Sequence, residues 1–133
     1  MSLTLHYHPL ASYCWKVLIA LYENGTPFEA KIVDLMDASE AKAFRQFSPM
    51  GKMPALHDGT RGRTIVETSV IIEYLDRHYP GPIRFLPEDP DEVLRVRFAE
   101  RFFDFYVQDS MSKIVTDKLR PEGSRDVFGV EKA

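Results

Sequence analysis

The chain has a single cysteine, Cys14, in 133 residues. No internal disulfide can form, which excludes a disulfide-stapled scaffold and makes a reducing, cytoplasmic setting the expectation. No apolar run approaches the ~20 residues that span a bilayer, so no membrane segment is expected. The opening MSLTLHYHPL lacks the pattern of a secretory signal. Positive charge is not in excess either. Lys and Arg number 17 against 20 Asp and Glu, a formal net charge of −3, so nothing electrostatic argues for nucleic acid. His6 and His8 alternate but have no third ligand close by in sequence, and no metal is expected. What remains is 44% hydrophobic and 28% charged, a globular composition.

Leu3 and Leu5 alternate with Thr4 and His6, which predicts a short strand. SYCWKVLIALYENG follows, with Cys14, Val17, Leu18, Leu21 and Tyr22 at helical spacing and Gly25 where a C-terminal cap belongs. FEAKIVDL predicts a second strand at 28–34. Asp37, with Glu40 three residues on, reads as a capping box for a small helix. The stretch 54–66 predicts a hairpin around HDGTRGR. ETSVIIEYLDRHYP predicts a helix started by Glu67 or Thr68, carrying Ile71, Ile72 and Leu75 on its apolar stripe and stopped by Pro80. The order β-α-β-α-β-β-α, with one parallel crossover, is an α/β thioredoxin-like domain over residues 1–80. PGPIRFLPEDP then holds four prolines and reads as a stiff linker, 81–90. Residues 91–133 open an all-α domain with one long helix. Its apolar stripe runs through Leu94, Phe98, Phe102, Phe105 and Met111, and GSRDVFGVEKA approaches a further helix.

The stretch GKMPAL is anomalous. Pro54 cannot donate to a sheet, yet it stands directly before the strand residues Ala55 and Leu56. A cis Met53–Pro54 bond resolves this, because it turns the backbone of Met53 outward and frees its N–H and C=O to bind an extended peptide. Glu67 and Thr68 have two readings. They are an ordinary helix cap, or they use the positive helix start to hold a carboxylate and an ammonium. Ser12 reads as the N-cap of the first helix or as a hydroxyl donor, and Tyr7 as a core aromatic or as such a donor. Ala11 and Cys14 occupy the two positions of a C-x-x-C pair, so the nucleophilic cysteine is missing. Cys14 is then expected to be a buried hydrophobe, and dithiol exchange is not expected.

YHPLASYCWKVLIALYENG, SPMGKMPALHDG and VETSVIIEYLD, in this order and ahead of a proline-rich linker and an aromatic helix, resemble the cytosolic glutathione S-transferases, with serine-type bacterial members as the nearest pattern. The resemblance covers the whole chain and implies a helical domain cut short. It implies that Pro54 is cis and that the backbone of Met53 pairs with the cysteinyl backbone of glutathione. It gives Glu67 and Thr68 the γ-glutamyl group. Lys52 is either a partner of the glycyl carboxylate or a solvated loop lysine. The serine-type activating position falls on Ala11, a departure from the pattern. Ser12 is therefore favoured as thiol activator, with Tyr7 as the tyrosine-type alternative. Tyr106, Ser110 and Lys113 fall where the family's electrophile pocket opens, although core packing accounts for most of the neighbouring aromatics. The implied function is transfer of glutathione to a small hydrophobic electrophile, as in detoxification, by a homodimer with glutathione as cosubstrate. The alternatives are a glutathione-dependent isomerase, peroxidase or reductase, or a non-catalytic binding or dimerisation module.

Overall fold

The computed structural model describes residues 3–133. They fall into two compact units, 3–86 and 87–133.

In the first unit, β1 (Leu3–Tyr7), β2 (Glu29–Ile32), β3 (Ala55–Asp58) and β4 (Arg63–Val66) form one sheet in the order β2-β1-β3-β4. β1 and β2 are parallel, and the other neighbours are antiparallel. Alternation along β1 decides which side chains go where. Leu3 and Leu5 face α1 (Ser12–Glu23) and α3 (Thr68–His78) and join Val17, Leu21, Leu56 and Ile71 in a core with no exposed surface. Each such side chain contributes about 1.5–3 kcal/mol on burial. The other face carries α2 (Ala38–Phe44), and there Val33, Phe44 and Ala55 form a second, smaller cluster.

The helix ends follow local chemistry. At the end of α1 the N–H of Thr26 reaches the carbonyl of Leu21 at 2.9 Å, and that of Gly25 reaches Tyr22 at 3.0 Å. This is a Schellman closure, and it needs the positive φ of 56° that Gly25 supplies. Asp37 caps α2 by accepting from the N–H groups of Ser39 and Glu40. The expected capping box is only half present: Glu40 accepts instead from the N–H of Asp34 at 2.8 Å, bracing the loop that leads into the helix.

The proline-rich segment is secured along its first half. The Asp76 carboxylate accepts from the N–H groups of Phe85 and Leu86 at 3.1 and 2.8 Å, and Phe85 packs on the main core.

In the second unit a single helical run extends from Pro90 to Lys118, capped by Asp89 and with proline in its first turn. The expected uninterrupted α-helix is corrected: α4 (Pro90–Phe102) passes into a π-helical segment, Phe103–Gln108, before α5 (Asp109–Lys118). The wider turn shifts the side-chain rows. Phe98, Phe102 and Tyr106 form one ladder of rings, while Phe105 lies under the Arg101 guanidinium, so the stripe drawn through Phe105 is not the one formed. Asp117 accepts from the N–H of Asp126, which itself caps α6 (Val127–Lys132).

Candidate functional site

The antiparallel register sets His6 opposite Ala55, and Ala55 opposite Val66. The end of β1, the start of β3 and the end of β4 therefore meet at one end of the sheet. Three segments are gathered there: the start of α1, the loop before β3 and the start of α3.

The loop is built tightly. Ser48 is fully buried and its hydroxyl donates to the Lys52 carbonyl at 2.8 Å. The N–H of Gly51 closes on the carbonyl of Ser48 at 2.8 Å, and Gly51 has φ 64°. The Met53–Pro54 peptide bond is cis. Strand pairing begins at Ala55, so the main chain of Met53 stands beyond the paired residues. Its side chain packs on the second cluster, whereas Lys52 is exposed. Ser48 went unnoticed in the sequence, where it is one more loop serine.

Glu67 has φ 70° and ψ 124°, a region that residues with a Cβ rarely occupy and that costs about 1–3 kcal/mol to hold. It is the only non-glycine with positive φ among the described residues. The cap reading for Glu67 and Thr68 does not hold: no side chain caps α3, and no acidic residue lies in its first turn. The first-turn N–H groups therefore have no side-chain cap, and the only acid at the positive end of the helix is Glu67 itself, which makes no cap bond. Thr68 is buried and Glu67 exposed. No pattern in the sequence announces a strained glutamate.

α1 also starts without a side-chain cap and without an acid in its first turn. Its N-cap position is Ala11, and Ser12 is the first helical residue, so Ser12 is not the N-cap. The turn into the helix is set by His8, whose Nδ1 accepts from the N–H of Leu10 and whose carbonyl accepts from the N–H of Ala11. His8 lies past the strand and does not share a sheet face with His6. Tyr7 packs on the main core, in keeping with its reading as a core aromatic. Cys14 is fully buried, and burial pushes its thiol pKa up. It is a packing residue rather than a nucleophile.

Tyr106, Ser110 and Lys113 belong to the second unit. Tyr106 is exposed and stacks on Phe102 at 5.7 Å, Ser110 is half-buried, and Lys113 pairs with Asp109 at 3.0 Å. Among the described residues no group of three or more His, Cys, Asp and Glu side chains is gathered to hold a metal. No helix among them is long and apolar enough to cross a membrane.

Fold and site together define a thioredoxin-like domain with an open main-chain edge beside its proline loop and an uncapped, strained helix start next to it. The family profile of the glutathione S-transferase N-terminal domain matches residues 5–83. Glutathione S-transferase U10 of Arabidopsis thaliana is 34% identical over 131 residues, 97% of this chain and 53% of that protein. Human glutathione S-transferase theta-1 is 38% identical over 97 residues, 72% of this chain and 40% of that protein. A glutathione S-transferase from Methylobacillus flagellatus KT, solved with glutathione bound, superposes with a TM-score of 0.87 at 30% identity, covering 98% of this chain and 62% of the other. The chain belongs to the glutathione S-transferase family. It spans about half the length of the curated relatives it matches.

Proposed function

We propose that the chain binds glutathione at this end of the sheet and activates its thiol for transfer to a small hydrophobic electrophile. The observation that carries this reading is Glu67: a strained L-residue placed directly before an uncapped helix, at the same sheet end as Met53 and Pro54. Strain of this kind persists where a site needs it.

In this reading the N–H and C=O of Met53 pair with the cysteinyl residue of glutathione as an added strand would. The start of α3 and the Thr68 hydroxyl hold the γ-glutamyl carboxylate, and Glu67 holds the ammonium. Lys52 meets the glycyl carboxylate. The glutathione thiol starts from a pKa near ~8.5, and lowering it by two units takes ~2.7 kcal/mol of preference for the thiolate. The uncompensated start of α1 and the Ser12 hydroxyl supply it, with Tyr7 as the alternative donor. Tyr106, Ser110 and Lys113 are the helical unit's contribution to binding the electrophile. A cytoplasmic homodimer with a detoxifying role completes the proposal.

Ala11 favours a second reading, a glutathione-binding module without turnover, because the N-cap position before α1 offers no hydroxyl. Calorimetry with glutathione, paired with turnover of a generic aryl halide, separates the two. Binding with turnover supports the transferase, binding without turnover supports the module, and no binding rejects both. Within the site, Glu67→Ala should weaken glutathione binding more than Lys52→Ala, because Glu67 is fixed by the backbone at the start of α3 whereas Lys52 is a long side chain on a loop.

A further inference from the structure

The sheet face that carries α2 holds a feature with no part in the site above. His6 is buried, with 4% of its surface exposed. Its ring stacks on Phe47 at 4.3 Å and lies 6.1 Å from Phe44. Among the described residues no protein group hydrogen-bonds its imidazole, although buried polar side chains nearly always find a partner. Neither ring nitrogen is sealed from the surface. His6 lines an open cleft of about 290 Å³ together with Lys31, Val33, Glu40, Phe44 and Phe47. The parallel register places Lys31 beside His6, and Glu40 reaches in from α2 while holding the Asp34 N–H.

We propose that this cleft is a second binding site, for a small, uncharged aromatic molecule of one ring that carries a hydroxyl or amide. Three observations select that class. The walls are flat ring faces and branched aliphatics, which favour a planar apolar body. The cleft lies at the lower limit of small-molecule pockets, roughly 300–1,000 Å³, which restricts the occupant to about one ring. Lys31 and Glu40 set one cation against one anion, so a full charge of either sign on the ligand meets repulsion as well as attraction. Burial, followed by the charges of Lys31 and His57, lowers the His6 pKa. The imidazole is neutral near pH 7, with one donor and one acceptor for the ligand's polar group. The Met53 side chain packs on the cluster of Val33, Phe44 and Ala55 from the neighbouring loop, but the cleft lies on the α2 face and its occupation does not rest on the glutathione reading.

The test is titration of the ¹⁵N-labelled chain with 4-hydroxybenzamide, followed by amide shifts, with 4-hydroxybenzoate as the charged comparison. Saturable shifts are expected at residues 31–33 and 40–47, with the benzoate binding at least about threefold more weakly. His6→Phe keeps the stacking and removes the nitrogens, and should weaken binding at least about fivefold. Ala43→Leu narrows the cleft, which Ala43 also lines, and should abolish binding. If His6→Phe loses its native amide dispersion, Ala43→Leu alone decides. The proposal is overturned by no saturable shifts, by shifts confined to 48–54 and 67–70, by tighter binding of the benzoate, or by unchanged affinity in the folded variants.

Discussion

Asn24 and Ile83 exchange two hydrogen bonds across 59 residues: Asn24 Nδ2 donates to the Ile83 carbonyl at 2.9 Å, and the Ile83 N–H donates to Asn24 Oδ1 at 2.9 Å. One side chain at the end of α1 thus satisfies both backbone groups of a residue in the proline-rich segment.

Asn24→Ala removes both bonds and should cost about 1–2 kcal/mol, a net value for partly exposed bonds. Asn24→Asp keeps the acceptor and should cost less. Gly81→Ala should act on the same contact, because an added Cβ would stand 2.5 Å from the Asn24 side chain. Urea unfolding of the three variants is the check. Asn24→Gly removes the Cβ as well, which would stand equally close to the Cβ added at Gly81. If the double variant Asn24→Gly, Gly81→Ala loses the full sum of its single losses, the two residues do not share this contact.

Asp58 gives a pH dependence. It is fully buried, and burial alone would raise its pKa. The hydroxyls of Tyr74 and Tyr79, at 2.6 and 2.7 Å, and the N–H groups of Arg61 and Thr60 outweigh this and hold it at about 2. The same arrangement pushes Tyr74 up to about 12, first by burial and then by its bond to Asp58. A folded pKa below the unfolded one stabilises the protein at higher pH and loses that effect on acidification. The contribution, on the order of 2 kcal/mol, should be complete above pH ~5 and should fade between pH ~4 and ~2. Asp58→Asn should be less stable than wild type near neutrality, with the gap closing through that window. A gap that is constant from pH 6 to pH 2 would mean that the carboxylate is not what stabilises this corner.

Glu67→Gly should relieve backbone strain and raise stability by about 1 kcal/mol, while glutathione binding falls. Glu67→Ala retains the strained backbone and should lose binding without that gain. Thermal unfolding and calorimetry on the pair distinguish them, and equal melting temperatures would remove strain from the description of the site.

For the thiol activator, Ser12→Ala should raise the pKa of bound glutathione toward its free value. Turnover near neutral pH should then fall by ~10–100-fold, with much smaller effects on binding. Tyr7→Phe should leave the thiol alone. Thiolate absorbance against pH reads both variants, and a shift only in Tyr7→Phe transfers the role to Tyr7.

Much of the first unit was legible because it rests on short-range patterns. Leu3 and Leu5 alternate, Ile71 and Leu75 recur at helical spacing, Gly25 punctuates α1, and Pro54 signals an unusual strand start. The parts that were not legible depend on long-range geometry. Nothing local states that Asp76 will hold Phe85 and Leu86, so a secured segment reads as a linker. Glu67 carries no conformational signature, because strain is a property of the surroundings that enforce it. The π-helical turn at Phe103–Gln108 escapes a reading that assumes a period of 3.6 residues, and it reassigns Phe105 and Tyr106.

The two outer strands of the sheet, β2 and β4, are each four residues long. Charge marks both of them: Glu29 and Lys31 on one, Arg63 on the other. Open strand edges invite further strands to add on, and short, charged edges are a common defence. If the main chain beside Pro54 takes up a peptide as proposed, the domain offers that edge while its outer edges discourage stacking of one copy on the next. A tripeptide is short enough to use the first, and a fibril would need the second.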